Sequence, residues 1–130
     1  MVTIKRPEEI ARMRRAGAIL ADVLDAFRHE LRPGITTAEL DRMADEMIRA
    51  AGAVPSFKGY PGSGGASDFP ASICASLNDE VVHGIPSPQR RVRDGDVMSL
   101  DVGCIWEGWH ADCARTWAVG KVPRRVQQLI

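Results

Sequence analysis

The chain has 130 residues, of which 45% are apolar and 26% charged, a composition typical of one soluble globular domain. Seventeen basic residues balance seventeen acidic ones, so no overall field is available to attract nucleic acid or an anionic membrane surface. No stretch approaches the roughly 18 consecutive apolar residues of a membrane span, which argues against a transmembrane helix.

The first residues carry charges with no apolar segment behind them, so we expect no secretory signal and a cytoplasmic location. Three cysteines, Cys74, Cys104 and Cys113, lack the CxxC spacing of a structural zinc site or a redox pair. Reduced thiols in the cytosol suit this pattern.

Two amphipathic helices are predicted in the first 52 residues. The first covers residues 7–31, where apolar side chains recur at helical spacing until a Pro-Gly pair ends the run. Thr36 and Glu39 form the capping-box pattern of a second helix, which ends at Gly52. The apolar stripes expected to be buried are Ile10, Met13, Ala16, Ile19, Leu20, Val23, Leu24 and Phe27 in the first helix, and Leu40, Met43, Met47 and Ile48 in the second.

The character of the chain changes after Gly52. Glycine, proline and serine are concentrated in residues 59–70, which is typical of a mobile loop. β-like segments follow at residues 72–76, 81–83, 97–104 and 109–119, and residues 123–130 open another amphipathic helix. Two helices followed by an antiparallel meander predict one domain of the α+β class over residues 1–130.

The most informative segment, residues 97–117, has the pattern of a β-hairpin with a two-residue turn at 107–108. In this register Gly103 faces Asp112, and Asp101 projects from the same face as a diagonal neighbour of Asp112. Two carboxylates on one face repel each other unless a cation lies between them, and shared carboxylates are typical of two-metal hydrolases. Gly103 would leave room there for metals or a substrate. A solvated sheet face with two unrelated aspartates explains the pattern equally well.

A family resemblance adds to this interpretation. Residues 69–86, which read FPASICASLNDEVVHGIP, resemble the signature segment of the type I methionine aminopeptidases. The Asp-Val-Gly at Asp101, the His-Ala-Asp that ends at Asp112, and residues 116–120 continue the resemblance over essentially the whole chain. It implies the amino-terminal half of a pita-bread fold, in which two related halves, each with helices packed on antiparallel strands, enclose two divalent metal ions. The identity of the metal, Co, Mn, Fe or Zn, stays open.

The resemblance also implies roles for individual residues. Asp101 would be a ligand of one metal and Asp112 would bridge both, while His83 would hydrogen-bond the substrate backbone and help to stabilise the tetrahedral intermediate. The positions of the apolar methionine pocket match Phe57, Tyr60, Phe69 and Cys74.

Residue chemistry alone leaves plainer alternatives open for two of these side chains, and His110 also has more than one interpretation. His83 could be a structural histidine in a turn, and Cys74 could be a small buried hydrophobe. His110 lies on the same strand face as Asp112 and could be a ligand, a residue that supports a ligand, or a half-exposed strand residue, of which we favour the last two.

The chain departs from the family pattern in two ways. Residues 61–68 form a longer Gly-rich loop than the usual link, which affects the placement of Tyr60 and Phe69. The family also takes its remaining ligands, one histidine and two glutamates, from a second half. Asp101 and Asp112 by themselves predict weak metal binding and low activity for a 130-residue monomer. A homodimer that brings two copies of this pair around one centre would complete the site.

The leading functional prediction is metal-dependent removal of the initiator methionine from peptides that begin with Met. The alternative is a catalytically silent half-domain that self-associates or binds a partner. A third interpretation is a relative that cleaves Xaa-Pro peptides, which usually lacks the Val-Val-His-Gly-Ile-Pro found at residues 81–86.

Overall fold

The computed structural model describes residues 3–130, which form two long helices packed on one antiparallel sheet. In chain order the elements are α1 (Pro7–Glu30), α2 (Thr37–Ala50), β1 (Val54–Pro55), β2 (Ile73–Leu77), β3 (Val97–Trp106), β4 (Trp109–Ala118) and the short α3 (Arg124–Gln127). The α+β class is therefore confirmed. Within residues 3–130 no helix combines the length and the apolar character needed to cross a bilayer.

Helix α1 buries its apolar stripe only from Ala16 onward, through Ile19, Leu20, Val23 and Phe27. The prediction that Ile10 and Met13 are buried is wrong, since these side chains are 42% and 39% exposed. Arg12, between them, forms an ion pair with Glu107 in the turn between β3 and β4. The first turns of α1 therefore lie beside the end of the sheet and not over its core.

Helix α2 begins as the sequence predicts. The backbone N–H of Glu39 donates to the Thr36 hydroxyl at 3.2 Å, and the Thr36 backbone N–H donates to the Glu39 carboxylate at 2.7 Å. This reciprocal pair satisfies two amide groups that a helix start otherwise leaves open. The helix packs against α1, β1 and β2.

Strand β3 is the centre of the sheet. It pairs with β4 along its whole length on one side and with β2 and β1, placed end to end, on the other side. The side chains of β3 that face the helices, Met98, Leu100, Val102 and Cys104, are completely buried. Phe27 of α1 meets Trp117 of β4 edge to face, with ring centroids 6.5 Å apart. The face of β3 opposite Asp101 is therefore the packed face of the sheet.

The elements differ from the predictions in several places, and β3 ends two residues later and β4 one residue earlier than predicted. Residues 81–83 do not form a strand, and β1 has no counterpart among the predicted segments. Strand β2 lies one residue later than predicted, and the last helix covers only Arg124–Gln127 within the predicted 123–130. Short segments are held mainly by tertiary contacts, and local pattern specifies them poorly.

Candidate functional site

The two aspartates of the hairpin lie where the predicted register places them. Gly103 pairs with Asp112, Asp101 pairs with Ala114, and the turn residues Glu107 and Gly108 both have positive φ. Alternation along β3 and β4 directs Asp101 and Asp112 to the sheet face opposite the helices. Both carboxylates line a single cleft of about 540 Å³.

Asp101 carries an unusual polar atom. Its Oδ1 is buried and, among the described residues, has no hydrogen-bond partner. Burial, followed by the negative charge of Asp112, raises the pKa of the Asp101 carboxyl, while His83 acts in the opposite direction. A buried acceptor without a partner costs free energy, and a cation beside it would remove both that cost and the repulsion between the carboxylates.

The space over Gly103 is filled, contrary to the prediction. A Cβ atom built on Gly103 would lie 2.7 Å from Cε1 of Phe57 and 3.2 Å from Cβ of Ser56. The missing side chain at residue 103 therefore admits the Phe57 ring, and no metal or substrate has room at that point. Phe57 in turn forms a wall of the cleft beside the two aspartates.

His83 reaches the same cleft from an irregular segment between β2 and β3. Its φ is +60°, in the left-handed region that non-glycine residues seldom adopt. The next residue, Gly84, is buried against β2 so closely that an added Cβ would lie 2.3 Å from the Ala75 carbonyl oxygen. This contact explains the glycine at residue 84. The left-handed φ of His83 interrupts the extended backbone that the predicted strand at residues 81–83 requires.

The predicted methionine-pocket residues, Phe57, Tyr60, Phe69 and Cys74, all line the cleft. Cys74 is 5% exposed and pairs across the sheet with Asp101. Burial, with the charges of Asp101 and Asp112, raises the pKa of the Cys74 thiol to about 11. The thiol is therefore protonated at neutral pH and contributes an uncharged, polarisable surface to this wall.

The Gly-rich loop supplies wall residues that sequence reasoning did not single out: Pro61, Gly62, Ser63 and Ser67, with Ile85 from the His83 segment. The loop closes at its base, where the Phe69 N–H donates to the Tyr60 carbonyl at 2.9 Å and the Gly59 N–H donates to the Phe69 carbonyl at 2.8 Å. These bonds keep Tyr60 and Phe69 together despite the length of residues 61–68. The glycine content of the loop was the available signal, but it does not indicate which side chains turn inward.

His110 does not line the cleft. It is an exposed residue of β4, and its Nδ1 lies 3.4 Å from the Ser56 hydroxyl. His110 therefore contacts Ser56, whose Cβ lies over Gly103, and is not among the residues that line the cleft.

The donor set fits a divalent cation in part. Asp101 and Asp112 supply carboxylate oxygens, which suit hard and borderline divalent ions. Across residues 3–130, no group of three or more histidine, cysteine, aspartate or glutamate side chains is arranged to hold a metal ion. The described residues thus bring two carboxylates, the His83 imidazole and apolar side chains to one cleft.

Comparison with known proteins gives consistent matches. The sequence model of metallopeptidase family M24 matches residues 11–130. The methionine aminopeptidase of Clostridium acetobutylicum is 46% identical over 130 residues, which are 100% of this chain and 50% of that protein. The crystal structure of methionine aminopeptidase from Thermotoga maritima superposes with a TM-score of 0.92 at 35% identity, covering 100% of this chain and 50% of that chain.

A more distant match shows how widely this fold occurs. Xaa-Pro dipeptidase from Bacillus anthracis superposes with a TM-score of 0.77 at 24% identity, over 96% of this chain and 32% of that one. At that identity the likeness concerns the fold alone. The chain spans about half the length of the curated relatives it matches.

Proposed function

Because this chain belongs to metallopeptidase family M24, we propose that it supplies Asp101, Asp112 and His83 to the metal-dependent removal of an N-terminal methionine from peptides. The main support for the proposal is that two carboxylates, one imidazole and an apolar wall all line a single cleft. Curated relatives at 44–46% identity are methionine aminopeptidases, whereas the Xaa-Pro enzyme is 24% identical, so the methionine activity is favoured.

In this proposal each side chain has a distinct task. Asp101 and Asp112 would hold the divalent ions through their carboxylate oxygens. Two such ions would supply Lewis-acid activation of a water molecule and of the scissile carbonyl. His83 donates a hydrogen bond to the substrate backbone as negative charge develops on the carbonyl oxygen.

The apolar wall provides the specificity. Phe57, Tyr60, Phe69 and Cys74 offer aromatic edges and an uncharged thiol to a flexible thioether side chain. A charged side chain placed there would lose hydration without gaining a partner. We therefore propose peptides with N-terminal Met as the substrate class.

Residues 1–130 alone are proposed to bind metal weakly and to turn over slowly. Two carboxylates fill only part of the coordination shell of two ions, and incomplete shells lower metal affinity. A homodimer that brings together two copies of Asp101 and Asp112 would double the carboxylate donors. The choice among Co, Mn, Fe and Zn, a cytoplasmic location and the lack of a nucleic-acid partner stay predictions.

Calorimetric titration of the chain with Mn(II), together with cleavage of Met-Ala-Ser, tests the proposal. We expect Mn(II) binding that is lost in D101N and in D112N but kept in D22N, which changes an exposed aspartate of α1 outside the cleft. Treatment with EDTA should remove any cleavage. Equal Mn(II) binding by D101N and the parent chain would show that the carboxylate pair is not the metal site.

The second candidate function is a silent half-domain that self-associates or binds a partner. Within residues 3–130 the outer edge of β4 has no strand beside it, and a ten-residue open edge readily accepts another strand. Sedimentation with and without Mn(II) separates the two functions. Mn(II) binding and dimer formation without cleavage favour the silent half-domain, and a monomer at high concentration with Mn(II) excludes the homodimer.

A further inference from the structure

The segment that carries His83 has little apolar packing to hold it. Val81 and Val82, the two residues before His83, are 88% and 61% exposed, and His83 itself is exposed. A left-handed φ at a histidine persists only where surrounding contacts impose it. Polar contacts on either side of His83 can therefore hold it in this conformation.

On the carboxyl side, Gly84 is bonded to β2. The Ala75 N–H donates to the Gly84 carbonyl at 2.8 Å, and the Gly84 N–H donates to the Ser76 hydroxyl at 3.1 Å. These two bonds anchor the chain immediately after His83. They leave the stretch before His83 to be held by something else.

Arg90 supplies that second anchor. Its Nη2 forms an ion pair with the Glu80 carboxylate, and its Nη1 donates to the Ile85 carbonyl at 3.0 Å. Glu80 also accepts the Leu77 N–H at 2.8 Å, which ties the ion pair to the end of β2. The guanidinium therefore joins the two ends of residues 80–85, with His83 between them.

Arg90 is itself fixed to the body of the domain. Its carbonyl accepts the Thr37 N–H at 2.9 Å at the start of α2, and its side chain is 26% exposed. A planar guanidinium that bonds several acceptors in fixed directions is more restrictive than an isolated surface ion pair. The Arg90 contacts can therefore transmit the rigidity of α2 to the exposed segment.

We propose that Arg90 is a positioning residue, which, through Glu80 and the Ile85 carbonyl, holds His83 in its left-handed conformation facing Asp101 and Asp112. We call the contacts of Arg90 with Glu80 and the Ile85 carbonyl the Arg90 clamp. A role of this clamp in catalysis rests on the function proposed above, whereas its effect on the conformation of His83 does not. Arg90 touches no residue of the carboxylate pair, so it acts only through the placement of His83.

NMR of residues 1–130 tests the clamp without requiring turnover. A strong intraresidue NOE between the amide and Hα protons marks a positive φ, and amide exchange at Gly84 reports opening of the segment. In R90A we expect the His83 NOE to weaken and Gly84 exchange to rise at least about tenfold, with exchange at Leu40 in the core unchanged. R93A removes the same charge at a nearby exposed position and should leave both signals as in the parent chain.

Two further variants, R90K and E80Q, keep the test decisive if R90A does not fold. R90K keeps the charge but cannot bridge several acceptors at once, so it should restore the His83 signal in part. E80Q keeps an acceptor for the Leu77 N–H and removes the ion pair, so it should raise Gly84 exchange in the same direction as R90A. An unchanged His83 NOE and unchanged Gly84 exchange in R90A, or in E80Q if R90A does not fold, would overturn the inference.

Cleavage of Met-Ala-Ser separates this inference from the proposed function. Where the parent chain cleaves, R90A should lower kcat about tenfold or more with KM within about threefold. The reason is that the His83 hydrogen bond strengthens as charge develops in the transition state, while the apolar wall that binds the methionine side chain is kept. A parent chain that neither binds Mn(II) nor cleaves would refute the function, while the NMR comparison would still decide the clamp.

Discussion

Replacing Asp101 with asparagine is expected to stabilise the metal-free chain while removing its response to divalent ions. The buried Oδ1 of Asp101 has no hydrogen-bond partner among the described residues, and the charge of Asp112 lies close to it. Asparagine has nearly the same shape and carries an NH2 group that can donate to the Asp112 carboxylate. The substitution therefore converts a repulsive contact into an attractive one.

The increase in the free energy of unfolding that D101N should bring is on the order of 1 kcal/mol. A hydrogen bond to a charged group contributes about 1.5–3 kcal/mol, and the solvent exposure of Asp112 reduces this to about 1 kcal/mol. For a chain of this length the entropy of unfolding converts 1 kcal/mol into about 4 °C of melting temperature. We therefore expect D101N to melt about 4 °C above the parent chain in EDTA.

Thermal unfolding followed by circular dichroism, in EDTA and then in excess Mn(II), measures both effects. The parent chain should gain stability with Mn(II) through preferential binding to the native state, and D101N should gain none. D22N, at an exposed site of α1, serves as the control for loss of one negative charge. A D101N protein that melts below the parent chain in EDTA would refute the reasoning about the Asp101 carboxylate.

Three other substitutions test separate contacts. G103A forces its Cβ against Phe57 and should cost about 1–3 kcal/mol in urea unfolding, so an unchanged midpoint would contradict the close approach. T36A removes the N-cap of α2 and should cost about 1 kcal/mol, and a loss as large in the exposed control T3A would show that the cap is not responsible. Hydrogen bonds from Arg49 hold the pKa of Asp45 well below its ordinary value of 3.8. The charged Asp45 carboxylate therefore stabilises the fold at pH values above 3.8, and this stabilisation is lost as the pH falls below 3.8 toward the lowered pKa. D45N should therefore be about 1 kcal/mol less stable near neutral pH, with the difference shrinking in acid, and a pH-independent difference would contradict this.

Local signals were sufficient for the helices and the hairpin. The Thr36 to Glu39 spacing specifies a hydrogen-bonded cap, and the turn at 107–108 sets the register that brings Asp101 and Asp112 to one face. Both features depend on residues close together in sequence, where propensity and periodicity act directly. The fold class and the carboxylate pair could therefore be predicted from the sequence.

The surroundings of the pair depend on contacts between distant residues. Phe57 lies over Gly103, and Gly84 is pressed against Ala75, in both cases because a glycine lets another group approach closely. The sequence shows the glycine but does not indicate which group will occupy the space beside it. Val81 and Val82 have high β propensity and predict a strand, but the backbone at His83 adopts a left-handed conformation that ends it.

The closed base of the Gly-rich loop has a practical consequence for work on this chain. Because Tyr60 and Phe69 are joined by a backbone hydrogen bond, residues 61–68 leave and re-enter the domain at nearly the same point. Residues 64–66, which do not line the cleft, can therefore be replaced or lengthened while the two attachment points stay fixed. An environment-sensitive fluorophore attached within this loop would sit at the mouth of the cleft and report the arrival of a peptide.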